Sequence, residues 1–175
     1  MMSVRRIEPT DAAALRRVRL AALLDEPAAF GSTYELESVR TDEDWAQRAA
    51  AGSAGSQQVT FFGDIDGELV GLVGAYRDAP ASGRVHLVSM WVAPSARRQG
   101  IGRHLIASVV TWAHGTNATD VSLWVTKGNA AAEELYKAAG FAPTGEVQPL
   151  PSDPRRDEIE FALSIGHNDR LKVAT

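Results

Sequence analysis

The chain has 175 residues, of which 45% are hydrophobic and 23% charged, with a formal net charge of −4 and no cysteine. This length and composition are typical of one globular domain that buries its own core. The small negative charge offers no basic field to nucleic acid, and the lack of cysteine excludes disulfides, thiolate metal sites and a cysteine nucleophile.

Apolar periodicity predicts eleven elements in the order β-α-α-β-β-β-α-β-α-β-β. They are a strand at 4–8, a helix between 11 and 25, a helix at 44–51, strands at 59–65, 68–76 and 85–92, a helix at 101–113, a strand at 121–125, a helix at 129–139, and strands at 141–147 and 157–165. Thr41 and Asp44 resemble a capping box, and Asp66-Gly67 favours a two-residue hairpin turn. Phe30–Tyr34 and the proline-bearing segment before the last strand are predicted to be loops.

This order predicts one mixed α/β domain over residues 1–166, followed by a polar tail at 167–175. No apolar run approaches the ~20 residues that span a bilayer, and no apolar segment follows Arg5 and Arg6. We therefore expect a cytoplasmic protein that binds neither membranes nor nucleic acid. The late strands could pair between two copies, which leaves a homodimer open.

The segment Arg97-Arg98-Gln99-Gly100-Ile101-Gly102 lies between a predicted strand and a predicted helix. A strand that turns through two glycines into a helix leaves backbone N–H groups without partners at the positive end of the helix dipole. Together with two arginines, these groups suit a phosphate or pyrophosphate. The P-loop ending and the three-glycine dinucleotide fingerprint are both missing. The segment therefore predicts a site for a phosphorylated cofactor, with a glycine-rich turn and solvated arginines as the alternative.

A second segment, running from Asn129 through Tyr136 to Gly140-Phe141, begins 27 residues after Gly102. The motif Arg-x-x-Gly-x-Gly followed by this Asn, Tyr and Gly-Phe pattern resembles the GNAT superfamily of acyl-CoA-dependent N-acyltransferases, and Val92-Ala93-Pro94 precedes the first motif as in that family. The resemblance extends over about 4–165 and is specific from 85 to 141. It implies a GNAT-like α/β fold, with a mixed, mostly antiparallel central sheet flanked by about four helices.

The resemblance also implies acetyl-CoA as co-substrate. The backbone of 90–92 would run along the pantetheine arm, and the N–H groups of 98–103 would hold the pyrophosphate where glycines permit close approach. The implied cofactor-binding residues are Met90, Trp91, Val92, Arg97, Arg98, Gln99, Gly100, Ile101, Gly102, Arg103 and Asn129. Tyr136 would be the general acid for the CoA thiolate, because a phenol stays protonated at neutral pH; a plain core aromatic is the alternative.

For the general base, many relatives carry a glutamate about six residues before the Val-x-Pro. His86 stands there in this chain. Its imidazole could take a proton directly or through water, or be a strand histidine without chemistry; Glu35 and Glu37 are weaker candidates. The residues predicted to line the binding site of the amine acceptor are Phe30, Tyr34, Trp91 and Trp124. Each of these side chains would suit the core equally well.

These residues predict an N-acetyltransferase that moves an acetyl group from acetyl-CoA to a primary amine by direct attack in a ternary complex. No cysteine or Gly-x-Ser-x-Gly elbow suggests an acyl-enzyme route. A small-molecule amine is favoured; the alternatives are a protein N-terminal or lysine acetyltransferase and a non-catalytic acyl-CoA sensor. No metal site is expected, since no ligand spacing joins the four histidines, His86, His104, His114 and His167.

Overall fold

The computed structural model describes residues 1–79 and 82–166. Its strands are β1 (Met2–Arg6), β2 (Gln58–Ile65), β3 (Glu68–Arg77), β4 (Arg84–Val92), β5 (Asp120–Thr126), β6 (Ala142–Leu150) and β7 (Asp153–Ser164). Its α-helices are α1 (Ala12–Asp25), α2 (Tyr34–Ser38), α3 (Asp42–Ser53), α4 (Ile101–Gly115) and α5 (Ala130–Ala138). Single 3-10 turns lie at Pro9–Asp11, Pro27–Ala29 and Pro94–Ala96.

The seven strands form one sheet in the order β1-β2-β3-β4-β5-β7-β6. The β4–β5 pair is parallel, and the other neighbouring pairs are antiparallel. This confirms the predicted mixed, mostly antiparallel sheet. Asp66 and Gly67 both have positive φ, 53° and 88°, as a tight β2–β3 hairpin turn of the mirror-image type requires.

Two apolar clusters cover the two faces of the sheet. On one face α4 and α5 pack against the central strands, and Leu105 of α4 is 0% exposed there. On the other face α1 and α3 cover β2, β3 and β4, with Trp45 at 1% exposure. This second cluster does not extend over β5, β7 and β6. The groove described below lies on that part of the sheet.

Two glycines set the distance between α4 and the sheet. Gly63 of β2 and Gly71 of β3 are direct neighbours in the antiparallel register. A Cβ on Gly63 would lie 2.8 Å from Cγ1 of Ile101, and one on Gly71 would lie 2.8 Å from Cδ1 of Leu105. The first turns of α4 therefore rest directly on the strand backbone.

The structure differs from the prediction in three places. β1 begins two residues earlier than expected, and Tyr34 begins the short helix α2 in place of a loop. The predicted proline-bearing loop is largely strand, because β6 reaches Leu150 and β7 begins at Asp153. The predicted tail at 167–175 lies outside the described residues. In the described part of the chain, no helix is long and apolar enough to span a membrane.

Candidate active site

A fork between β4 and β5 opens the middle of the sheet. The two strands pair only at Arg84–Asp120, Val85–Val121 and His86–Ser122. Both strands continue beyond these pairs, and because they are parallel their carboxyl ends lie at the same edge of the sheet. The helices that follow them, α4 and α5, therefore both begin at the open end of the fork.

A β-bulge modifies β4 where it lines the fork. The register between β3 and β4 shifts between Leu72 and Gly74, so that Val73 lies opposite both Ser89 and Met90. Ser89 has a φ of 57°, which is uncommon for a residue other than glycine. Because a bulge leaves its extra residue outside the ladder, it offers backbone N–H and C=O groups to a ligand in the fork.

The start of α4 presents backbone N–H groups at the open end of the fork. Arg98 and Gly100 have φ values of 64° and 95°, and the helical hydrogen bonds begin with the N–H of Arg103, which donates to the Gly100 carbonyl at 3.1 Å. The preceding N–H groups have no helical partner, so the loop suits an anionic ligand such as a pyrophosphate. A Cβ on Gly100 would meet no atom within 4 Å; glycine is favoured here by its backbone conformation.

Most of the remaining predicted cofactor-binding residues already contact other parts of the protein. A Cβ on Gly102 would lie 3.4 Å from Leu135, an ordinary contact distance, so this glycine lies close to α5. Arg97 is held at the end of α1: its guanidinium pairs with Asp25 and lies 3.2 Å from Glu26. Arg98 and Arg103 are exposed, and the Gln99 amide donates to the Ser95 carbonyl at 2.9 Å. Ile101 is buried in the core, while Met90 and Val92 pack at its edge.

Asn129 and Tyr136 lie on α5. Asn129 is the N-cap, since its Oδ1 accepts a hydrogen bond of 3.2 Å from the N–H of Ala132. Tyr136 is 7% exposed and meets Phe141 edge-on, with ring centroids 5.9 Å apart. Burial, reinforced by the nearby charge of Glu26, raises the pKa of the Tyr136 phenol well above its usual range. Tyr136 is therefore protonated at neutral pH.

His86 lies at the last β4–β5 pair, where the fork closes. Its Nδ1 is 3.1 Å from Oγ of Ser122, and its Nε2 is 2.8 Å from Oδ1 of Asp78. The ring also stacks on Tyr76, with centroids 5.0 Å apart. The Nε2–Asp78 pair is a close charge contact without hydrogen-bond geometry, whereas Nδ1 and the Ser122 hydroxyl are hydrogen-bonded. Ser122, itself 0% exposed, therefore holds the His86 ring from the neighbouring strand β5.

Buried charges lie on the α1 side of the fork. Glu37, at 1% exposure, accepts hydrogen bonds of 2.8 Å from both Arg19 and Arg48. Burial alone would raise the pKa of Glu37, but the two guanidinium groups outweigh it and lower that pKa to about 2. A carboxylate held so firmly in its ionised form is a weak base, and Glu35 is exposed on the outside of α2. A cavity of about 210 Å³ lies beside these arginines and reaches Ser89.

The four residues predicted to line the acceptor site lie in two different places. Phe30 is buried beneath the Arg19 guanidinium at 4.9 Å, and Tyr34 packs at the edge of the same cluster. The indole N–H of Trp91 donates to Asp25 at 2.9 Å, so this side chain belongs to the core. Trp124 lies elsewhere, in an open groove of about 540 Å³ on β5, β7 and β6.

The sequence interpretation missed four polar residues of this site: Asp78, Ser122, Glu158 and Glu160. The two glutamates face the groove side of β7, with 7% and 6% exposure. Their signal is the alternation of Glu158 and Glu160 with Ile159 and Phe161, which indicates a strand with a polar face. Among the described residues no group of three or more His, Asp or Glu could hold a metal ion, and His167 lies outside them.

Comparison with known proteins identifies relatives. The model of the acetyltransferase (GNAT) family matches residues 20–141. Aminoglycoside N(6')-acetyltransferase type 1 of Klebsiella aerogenes is 34% identical over 88 residues, 47% of this chain and 58% of that protein. The N-terminal acetyltransferase B complex catalytic subunit naa20 of Schizosaccharomyces pombe is 33% identical over 79 residues, 45% of this chain and 44% of that protein. The chain thus spans about half the length of these relatives.

The solved structure of yncA from Salmonella typhimurium with its cofactor acetyl-CoA has a similar fold. Its TM-score is 0.76 at 18% identity, over 99% of both chains. At this identity the likeness concerns the fold alone, and it confirms the predicted arrangement of sheet and helices.

Proposed function

The chain belongs to the acetyltransferase (GNAT) family, and from this membership we propose that it transfers the acetyl group of acetyl-CoA to a primary amine. The observation that carries the proposal is the fork, where β4 and β5 separate after three residue pairs and two helices begin at the open end. Such a slot accepts an extended arm between two strands. The loop before α4 would hold the pyrophosphate.

The reaction joins the amine nitrogen to the acetyl carbon and breaks the C–S bond. The amine loses a proton, and the CoA thiolate gains one. We assign the second proton to Tyr136, whose phenol is protonated at neutral pH. Direct attack by the amine is supported by the absence of cysteine from the chain. Initial-rate plots against both substrates should therefore intersect; parallel lines would indicate an acyl-enzyme.

We assign the amine proton to His86, through the hydroxyl of Ser122. The 3.1 Å contact between Ser122 Oγ and Nδ1 supports this route, and Asp78 stabilises the imidazolium that forms. In His86→Gln and in Ser122→Ala we expect kcat to lose its rise with pH on the acidic side, while the KM for acetyl-CoA is unchanged. A pH profile identical to that of the wild type in both variants would overturn the assignment.

The acceptor we favour is a small molecule, as for the aminoglycoside acetyltransferase relative. A protein N-terminus is the second candidate, and the naa20 relative supports it. The test is thiol release from acetyl-CoA with a panel of small amines and of peptides with free N-termini. Turnover of small amines alone would support the first candidate, and turnover of peptides alone the second.

Calorimetry with CoA completes this test. We expect binding that weakens about tenfold in Arg98→Glu, whereas Arg155→Glu, an exposed reversal on β7, should change it less than twofold. CoA binding without turnover of any amine would support a sensor.

We also propose that the protein acts in the cytoplasm, where a chain without cysteine needs no disulfides.

A further inference from the structure

The lining of the groove on β5, β7 and β6 contains more carboxylates than cations. Arg84, Glu160 and Glu146 line it, and Glu158 lies beside it. The charge of Arg84 is largely taken up by Asp120, whose Oδ1 is 2.8 Å from Nε. Arg84 is also the ion-pair partner of Glu160, so one guanidinium is shared between two carboxylates and the groove keeps an excess of negative charge.

Glu160 is the decisive residue of this groove. It is 6% exposed, and its nearest cation is Nη1 of Arg84 at 3.8 Å, beyond hydrogen-bond distance. No described residue donates a hydrogen bond to its carboxylate. Because Arg84 lies closer to Asp120 than to Glu160, a cation from outside the chain would complete the charge balance around Glu160.

The neighbours of Glu160 complete a site for an ammonium group. Trp124 lies directly beside Glu160 in the β5–β7 register, is only partly buried and lines the groove. An indole face next to a carboxylate attracts a cation through both its quadrupole and the charge. Glu158, two residues away on the same face, accepts a 2.6 Å hydrogen bond from Gln148, and burial raises the pKa of its carboxyl group.

This groove lies beside the end of the fork where the reaction is proposed. Ser122 and Trp124 are two residues apart on the same face of β5, and Glu160 is on the next strand. With about 3.3 Å per residue and about 4.8 Å between strands, the Cα atoms of Glu160 and Ser122 are roughly 8 Å apart. A single short molecule can reach both positions.

We propose that the acceptor is a small molecule with a second ammonium group, which binds between Trp124 and Glu160 while its first amine meets the acetyl group. The inference rests on the proposed acetyltransferase function. It makes Glu160 a residue that determines specificity without taking part in the proton transfers.

The test compares two amines that differ in one charge. Cadaverine has a primary amine at each end of a five-carbon chain, and pentylamine has the same chain with one amine. On the protein with CoA added, calorimetry should show cadaverine binding about tenfold more tightly than pentylamine. In Glu160→Gln the ratio should fall to within about twofold, and Trp124→Leu should lower it as well.

Asp157→Asn is the matched control. Asp157 is exposed and lies on β7, three residues from Glu160 and hence on the opposite face of the strand. It should keep the tenfold preference. Equal binding of the two amines to the wild type, or a preference that survives in both Glu160→Gln and Trp124→Leu, would overturn the inference. Thiol release tests the activity separately. If cadaverine binds as expected but no acetyl group is transferred, the proposed function fails while the cation site stands.

Discussion

The buried carboxylate of Glu37 should make the stability of this protein depend on pH in the acidic range. Arg19 and Arg48 bind it, and its pKa falls from an ordinary 4.5 to about 2. At about 1.4 kcal/mol per pKa unit, ionised Glu37 contributes about 3 kcal/mol to the free energy of unfolding at neutral pH. Because the folded pKa is depressed, this contribution is present above the unfolded value and is lost as the pH falls through the folded value.

Glu37→Gln removes the titration and keeps the shape of the side chain. At neutral pH we expect it to lower the free energy of unfolding by about 3 kcal/mol, since Arg19 is buried and loses its counter-ion. Between about pH 6 and about pH 3 the wild type should lose about 2 kcal/mol relative to the variant, so that the difference between them narrows.

Urea unfolding followed by tryptophan fluorescence measures this, because Trp45 is buried beside Arg48. Glu35→Gln, on the exposed side of α2, is the control and should change the free energy of unfolding by less than about 0.5 kcal/mol. If wild type and Glu37→Gln lose stability in parallel from about pH 6 to about pH 3, the low pKa of Glu37 is refuted.

Three further predictions test the site and the fold. Tyr136→Phe should lower kcat about a hundredfold in steady-state assays and leave the KM for acetyl-CoA unchanged; an unaltered kcat would reduce Tyr136 to a packing residue. Asn129→Ala should cost about 1 kcal/mol in chemical unfolding, whereas Asn129→Ser should keep most of the cap; equal losses would contradict the capping role. Gly71→Ala should cost about 2 kcal/mol in the same assay, because the new Cβ would lie 2.8 Å from Leu105. Gly74→Ala, whose nearest contact is 3.4 Å, should cost less; the reverse order would contradict the close approach of α4.

The sequence predicts the long elements well, because their apolar spacing is regular. It also predicts the Thr41–Asp44 capping box and the Asp66-Gly67 turn, which depend on adjacent residues alone. The helix α2 escapes prediction because five residues are too short to show a helical period. The strand predicted at 141–147 is found as β6, but its extension to Leu150 escapes because Pro149 and Pro151 suggest a loop; β6 is the last strand of the sheet, where a missing N–H is tolerated.

The site is only partly predictable, because its geometry depends on strand order. The motif locates the loop before α4, but only the register shows that His86 lies beside Ser122. The sequence places Arg97 in the phosphate loop, while the fold brings Asp25 and Glu26 to it from the end of α1. Likewise the pairing of Trp124 with Glu160 depends on β7 lying next to β5, although β6 precedes it in the chain.

The separation of β4 from β5 also gives this protein two strand edges inside its own sheet. Peptide groups that face the gap lack a neighbouring strand, and exposed edges of this kind invite association with other chains. An extended ligand with amide groups can serve as the missing neighbour. A ligand present at a hundred times its Kd would add about 2.7 kcal/mol to the free energy of unfolding. The supply of acyl donor would then determine how long the folded enzyme lasts as well as how fast it works.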